Sequence, residues 1–149
     1  MNKKETQFSN VLKKYFLKEK FFVDKIESRM TAAGIPDLLI LSPNGQQDFI
    51  ELKVVEADNI ISLTPGQKAW HSKRALYKCP TKFIILFEER NQMLITSGKQ
   101  VLHWVLNNKG KINTKEIPEA CWFDRKAIDY TFLVYCVFDF YFSSNRVYK

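Results

Sequence analysis

The chain of 149 residues has few cysteines and histidines, the residues that form disulfides and zinc sites. Its three cysteines, Cys79, Cys121 and Cys136, lie far apart without a C-x-x-C pair, and an odd count argues against a disulfide scaffold. The two histidines, His71 and His103, are isolated, so no group of residues has the ligand spacing of a zinc site. We therefore expect reduced thiols.

Long hydrophobic runs are also missing. The N-terminal residues are charged and lack the apolar core of a signal peptide. The most hydrophobic stretch, residues 130–142, has thirteen residues including Asp139, so it is too short and too charged for a membrane helix. The sequence contains no internal repeat, no low-complexity segment and no nucleophilic Ser or Cys motif. These absences predict an intracellular, cytoplasmic protein without a membrane partner.

What the chain has in excess is positive charge. A net charge of +7 and an isoelectric point near 9.3 speed encounters with a polyanion, although they say nothing about fold. The lysines and arginines are spread along the chain, and a solvated surface explains any single cluster equally well. Nucleic acid is the expected partner, and 149 residues with 46% hydrophobic content predict one domain, 1–149.

The hydrophobic periodicity predicts an α/β fold with a mixed sheet flanked by helices. Apolar residues at helical spacing predict a first helix over 4–18 with an inward face of Phe8, Val11, Leu12, Tyr15 and Phe16. Outside the hairpin described below, the other expected elements are strands over 21–26, 82–87 and 93–96 and helices over 65–78 and 98–108. Residues 1–98 form the predicted core and residues 99–149 a C-terminal α+β extension.

The C-terminal segment 131–142 alternates with period two, which predicts a strand. An aromatic, largely uncharged strand is an association hazard unless the fold covers it or an oligomer uses it. We expect the extension to pack on the core or to serve oligomerisation, and we favour a homodimer.

Two short acidic motifs carry the functional signal. Asp37, at the end of Gly34-Ile35-Pro36-Asp37, is followed fourteen residues later by Glu51-Leu52-Lys53. The intervening Pro43-Asn44-Gly45 suits a three-residue hairpin loop, which would set Asp37 opposite Glu51 with Cβ atoms roughly 5 Å apart. A two-residue loop would instead place Asp37 beside Leu52.

In the three-residue register one side of the hairpin is apolar and the other ends in charge. The apolar side carries Leu38, Ile40, Ile50 and Leu52. The opposite side ends in Asp37, Glu51 and Lys53, because strand residues two apart share a face. Facing carboxylates destabilise a sheet unless a cation lies between them, and Mg²⁺ accepts such oxygen ligands. The alternative to a metal site is an ordinary hairpin whose charged side chains are solvated.

These motifs resemble the PD-(D/E)XK nuclease signature, and in particular the VRR-NUC (virus-type replication-repair nuclease) family. The matching positions are Glu5, Asp37, Glu51, Lys53 and Gln67, within roughly the first two-thirds of the chain. Glu19 and Glu27 compete with Glu5 for the acidic position of the first helix. The resemblance implies a restriction-endonuclease-like core and Mg²⁺- or Mn²⁺-dependent cleavage of DNA, often branched or flap-like, in replication, repair or recombination.

The residue types suggest a mechanism in which Asp37, Glu51 and the Leu52 carbonyl hold one divalent cation. Lys53 would orient or activate the attacking water, and Glu5 would help to hold a second metal. Alternatively, Glu5 is a first-turn residue that favours the helix dipole. Gln67 either closes a capping box with Thr64 or positions phosphate or water, and the two roles are compatible.

Further positions are candidates for contact with nucleic acid. Gln67, His71, Arg74 and Lys78 would form one polar stripe on the helix over 65–78, and Arg29 lies in the loop before Gly34. Trp70 and Tyr77 are expected to fill the core rather than stack on bases. Two other functional classes stay open, namely a DNA-binding accessory protein that keeps the nuclease fold without turnover and an assembly protein built on the aromatic C-terminal segment.

Overall fold

A computed structural model of the chain describes residues 3–26, 33–77, 81–119 and 122–125, together with the single positions Leu133 and Val137. The elements in order are helix α1 (Lys3–Lys18), strands β1 (Phe22–Lys25), β2 (Leu38–Leu41) and β3 (Gln47–Val55), helix α2 (Pro65–Leu76), strands β4 (Lys82–Phe87) and β5 (Gln92–Ser97), helix α3 (Gly98–Asn107), a 3₁₀ turn (Thr114–Glu116) and strand β6 (Trp122–Asp124). The predicted α/β class is confirmed.

The six strands form one mixed sheet in the order in which they occur in the chain. Neighbouring strands are antiparallel except β3 and β4, which are parallel and are connected through α2. A parallel pair requires such a crossover, because the chain must return to the same end of the sheet. This crossover brings the first turn of α2 next to the middle of β3.

The β2–β3 hairpin has the register predicted from a three-residue loop. Leu38 lies opposite Ile50 and Leu41 opposite Gln47, and the Ser42 N–H donates to the Gln46 carbonyl at 2.8 Å. Gly45 takes the left-handed conformation that the loop needs, with φ of 85°. The alternative two-residue loop, which would pair Asp37 with Leu52, is therefore wrong.

Each face of the sheet has its own hydrophobic core. On one face, here the α1 face, the sheet packs against Phe8, Leu12 and Phe16 of α1, and the four predicted apolar hairpin residues are fully buried there: Leu38, Ile40, Ile50 and Leu52. On the opposite face, here the α2 face, Phe83, Ile85 and Phe87 of β4 pack against α3, including the buried Trp104. The predicted charged end of the hairpin lies on the α2 face.

Two apolar side chains lie outside their predicted environment. Val11 of α1 was expected to face inward, but it is 41% exposed because the buried face of the helix is narrower than the run of apolar residues. Tyr77 was expected in the core, but α2 ends one residue earlier and leaves the ring largely in solvent. No helix in the described part of the chain is long and apolar enough to cross a bilayer.

The strand predicted over 131–142 lies outside the described residues apart from two positions. Leu133 and Val137 are helical rather than extended, and both are fully buried in the core of the α1 face. Four residues is the spacing of one helical turn, so the strand prediction is wrong at these two positions. The homodimer was inferred from this strand and stays a prediction.

Candidate metal and phosphodiester site

The segment Gly34–Asp37 lies directly against the start of α2. Gly34 has φ of 97°, and a Cβ built there would lie 2.1 Å from the Gly66 carbonyl oxygen and 2.8 Å from the Gln67 nitrogen. Only glycine allows this approach, since any side chain would collide with backbone atoms. The motif thus joins the loop before β2 to the first turn of α2.

Asp37 is the residue immediately before β2 and continues the pairing of the first two strands. Its carbonyl accepts a hydrogen bond from the Ile26 N–H at 2.8 Å, and its carboxylate accepts one from the Leu52 N–H at 3.0 Å. The side chain is buried. Asp37 is therefore held against β3 at the position where Glu51 and Lys53 project.

Glu51 lies at the centre of a buried polar network on the α2 face. The Gln67 amide donates to Glu51 Oε1 at 2.7 Å, and Lys53 Nζ lies 3.6 Å from the same oxygen. Lys53 Nζ also donates to Gln67 Oε1 at 3.4 Å. The structure therefore brings together four of the predicted site residues: Asp37, Glu51, Lys53 and Gln67.

The helix cap and the site share Gln67. The Thr64 hydroxyl accepts from the Gln67 N–H at 3.2 Å, and Gln67 Oε1 accepts from the Thr64 N–H at 3.0 Å, which completes the predicted capping box. The amide nitrogen of the same side chain remains for Glu51. The capping role is confirmed, and the contact with Glu51 shows that capping does not prevent a role in the site.

The pKa values of the Asp37 and Glu51 carboxyls are both raised. Burial, and next the Asp37 charge, raise the pKa of Glu51 to about 8, against the pull of Lys53. Burial also raises the pKa of Asp37, although the Leu52 N–H and Lys53 oppose the shift. A buried pair of acids held this way favours a proton or a cation beside it. Glu51 therefore keeps its proton to higher pH than an exposed glutamate does.

Glu5 lies in the first turn of α1, and its charge acts on the same pair. Burial is the main cause of the raised pKa values of Asp37 and Glu51, and the Glu5 charge adds a smaller contribution to both. Its role as a metal ligand stays a prediction. Glu19, its competitor, directly follows the last residue of α1, and Glu27 lies outside the described residues.

The donor set fits a hard divalent cation. Within the described part of the chain, Glu51 Oε2 is buried and has no hydrogen-bond partner. Such an orphaned oxygen needs a proton, water or ion. The same residues contain no group of three His, Cys, Asp or Glu side chains that would form a complete metal cage. Two carboxylates with a backbone carbonyl and water are sufficient for Mg²⁺, which keeps several of its waters.

The predicted phosphate-tracking stripe on α2 does not reach the surface at its first two positions, and contact of Arg74 and Lys78 with nucleic acid stays a prediction. Gln67 and His71 are buried, because this side of the helix faces the sheet. The Arg74 guanidinium lies over the rings of Phe49 and Trp70, 5.0 and 4.7 Å from their centres. Arg29 and Lys78 lie outside the described residues.

His71 is part of the packing behind the site. Its Nδ1 and the Thr81 hydroxyl are 2.9 Å apart, and its ring contacts Phe83 at 4.8 Å, the β4 residue beside Glu51. Burial lowers the pKa of the His71 imidazole to about 4, so the ring is neutral at pH 7. We assign it to the structure of this layer.

Sequence reasoning missed a buried ion pair on the opposite face. Lys82 Nζ lies 2.5 Å from the Asp48 carboxylate, and both side chains are largely buried. Asp48 alternates with Ile50 and Leu52 on β3, so the strand period placed it on the α1 face. No feature of the sequence indicated its partner, because Lys82 is 34 residues away and reaches it only through the parallel β3–β4 pairing.

A cleft lies at the β6 end of the sheet, between Arg90, Thr114 and Trp122. It contains none of the carboxyls described above and does not bear on the chemistry.

A scan of the chain against protein-family models finds no match, and a search of curated proteins finds no significant relative.

Proposed function

We propose that this protein is a Mg²⁺-dependent deoxyribonuclease of the PD-(D/E)XK type, resembling the VRR-NUC family, that hydrolyses phosphodiester bonds in branched or flap-like DNA. The observation that carries the proposal is the pair of buried carboxyls, Asp37 and Glu51, on one face with Lys53. A hairpin with merely solvated charges would leave these groups exposed, whereas Glu51 is only 1% exposed. Burying two acids together is costly, and a cation relieves that cost.

The order of elements also supports the proposal. The family resemblance implies a helix with an acidic residue, an Asp strand, an E-x-K strand and a helix opened by Gln, which correspond to α1, β2, β3 and α2. The restriction-endonuclease-like core remains part of this proposal. The net charge of +7 favours DNA as the polyanion.

Each side chain has a distinct task in the proposed reaction. Asp37, Glu51 and the Leu52 carbonyl would hold Mg²⁺, for which Mn²⁺ can substitute. When bound, the ion polarises the scissile phosphate and neutralises charge that develops on it. Lys53 would orient the attacking water and stabilise it as it loses its proton. Gln67 fixes the Glu51 carboxylate, so the ligand need not reorganise when substrate arrives.

The decisive test is cleavage of a labelled panel of single-stranded, duplex, flap and four-way-junction DNA in Mg²⁺, Mn²⁺ or EDTA. Native protein should cut in either metal and not in EDTA. Asp37→Asn and Glu51→Gln, which keep side-chain size but remove charge, should abolish cutting. Glu89→Gln, an exposed acid in the β4–β5 turn, is the matched control and should cut normally.

Binding without cutting under every metal condition would reject the nuclease proposal in favour of a non-catalytic DNA-binding protein. Cutting that survives both Asp37→Asn and Glu51→Gln would place the chemistry elsewhere.

A further inference from the structure

Among the described residues, an exposed apolar surface leads away from the candidate site along the same face of the sheet. Pairing across β1, β2 and β3 places two further rows of side chains beyond Asp37 and Glu51, because directly paired residues share a face. The nearer row is Asp24, Leu39 and Phe49, and the farther row is Phe22, Leu41 and Gln47. From Glu51 to Gln47 the rows span about 13 Å.

Four of these side chains form what we name the floor: Phe22, Leu39, Leu41 and Phe49. Phe22 is 53% exposed, and the other three are only partly buried. On the α1 face, by contrast, the neighbouring Val23, Ile40 and Ile50 are buried beneath α1 and its core. Contiguous apolar surface of this kind beside a polar site marks an interaction surface.

Helix α2 forms a wall along one side of the floor. The Trp70 ring meets Phe49 edge to face at 5.5 Å, and Arg74 lies over both rings. At 100° per residue, Lys73 and Tyr77 lie on the same side of α2 as Trp70. Lys73 is exposed, and Tyr77 is 75% exposed. The wall therefore offers both positive charge and aromatic surface.

The other side of the floor has the opposite charge. Asp24 is exposed on β1, which is an edge strand of the described sheet. A duplex lying here would bring one of its two phosphate backbones toward this carboxylate. A single strand avoids that repulsion, because its one backbone can follow Lys73 and Arg74 while its bases cover the floor. Aromatic surface beside a basic wall is how proteins bind unpaired strands.

We propose that this trough, the floor together with its α2 wall, binds an unpaired segment of DNA leading into the site. Its length of about 13 Å matches roughly four bases stacked 3.4 Å apart. The inference rests on the proposed function, since it names the form of DNA that the same site would accept: a substrate with a single-stranded arm.

The test measures binding in EDTA, so it does not depend on turnover. One probe is a duplex with a five-nucleotide single-stranded arm containing 2-aminopurine, whose fluorescence falls when the base stacks. A flush duplex with the same label is the comparison. Native protein should quench the arm and bind the armed duplex at least tenfold more tightly than the flush one.

Two substitutions separate the floor from general hydrophobic surface. Phe22→Ser should abolish the quenching and weaken armed binding about tenfold, in line with the loss of one stacked base, while flush binding stays the same. Leu106→Ser is the matched control, because Leu106 is 63% exposed on α3, which packs on β4 and β5 rather than on the strands of the floor. It should change neither.

Charge variants test the orientation of the strand. Lys73→Gln should reduce the dependence of log K on log salt by about one unit, and Asp24→Asn should strengthen armed binding. Equal loss of armed and flush binding in Phe22→Ser, or no loss, would overturn the trough. So would a native dimer that Phe22→Ser converts to a monomer in sedimentation velocity, because a second copy would then cover the floor.

The two proposals fail in different ways. Arm-selective quenching without cleavage in any metal would reject the nuclease function and leave the trough in place. Asp37-dependent cleavage without any preference for an arm would reject the trough alone.

Discussion

The Gln67 side chain spans from the backbone of Thr64 to the carboxyl of Glu51. Its oxygen accepts from the Thr64 N–H at 3.0 Å, and its nitrogen donates to Glu51 Oε1 at 2.7 Å. One amide therefore both begins α2 and fixes the orientation of an acid that we propose as a metal ligand.

Replacing Gln67 separates these two tasks when it is compared with replacement of Thr64. Gln67→Ala removes both contacts, so it should destabilise the protein by about 1 kcal/mol and reduce cleavage at least tenfold. Thr64→Ala removes only the hydroxyl acceptor, so it should cost about the same in stability and leave cleavage near normal. Urea unfolding and initial cleavage rates measure the two effects. Equal cleavage by the two variants would show that Gln67 acts only as a cap.

Gly34→Ala should be strongly destabilising and should inactivate the site. The new methyl group would collide with the Gly66 carbonyl, and φ of 97° is unfavourable for alanine. Gly45→Ala is the control, because Gly45 has a similar φ of 85° but open space around its Cβ position. It should lose only about 1–2 kcal/mol, the conformational cost alone. Urea midpoints that fall equally for both variants would mean that the contact with α2 is unimportant.

The raised pKa of Glu51 predicts how stability depends on pH and metal. Between its ordinary value of 4.5 and about 8, the folded protein holds a proton that the unfolded chain releases. The free energy of unfolding due to this group therefore falls as pH rises through that window. Bound Mg²⁺ should cancel the loss, since it stabilises the anion.

Melting temperatures from pH 5 to pH 8, in Mg²⁺ or EDTA, test this expectation. The rise in melting temperature that Mg²⁺ causes should grow with pH in the native protein and should be absent in Glu51→Gln. An increment that is constant with pH, and that persists in Glu51→Gln, would contradict binding at this carboxyl.

His71 should contribute the opposite slope at lower pH. Its folded-state pKa of about 4 lies below the ordinary 6.5, so the unfolded chain takes up the proton first. Stability from this group is complete above pH 6.5 and is lost as pH falls toward 4. His71→Phe should flatten the acid side of the stability profile, whereas the exposed His103→Phe should leave it as steep as in the native protein.

Local chemistry accounts for the parts of the fold and site that the sequence predicted well. Pro43 and Gly45 define the turn, and the turn defines which residues of the hairpin face each other. Thr64 and Gln67 define where α2 begins. Both features depend on residues fewer than five positions apart, so the local sequence is sufficient to define them.

The predictions that were wrong concern segments whose periodicity is compatible with more than one structure or with either a buried or an exposed side. Gln67, His71 and Arg74 do share one side of α2, but helical spacing does not tell which side faces the sheet. Polar residue types suggested solvent, whereas Glu51 and Thr81 provide buried partners for two of them. Likewise, residues 131–142 have apolar side chains at spacings of both two and four, so the pattern of period two predicts a strand although Leu133 and Val137 are helical.

Apart from Glu5, every proposed catalytic and metal-binding group comes from one contiguous stretch, residues 34–67. The loops that close on forming the Asp37–Leu52 and Glu51–Gln67 contacts are short, with separations of 15 and 16 residues. Short loops cost little entropy to close, so this stretch should become ordered early in folding, before β5, α3 and β6 are added. Substitutions in the later half of the chain would then change the rate at which the site unfolds more than the rate at which it forms.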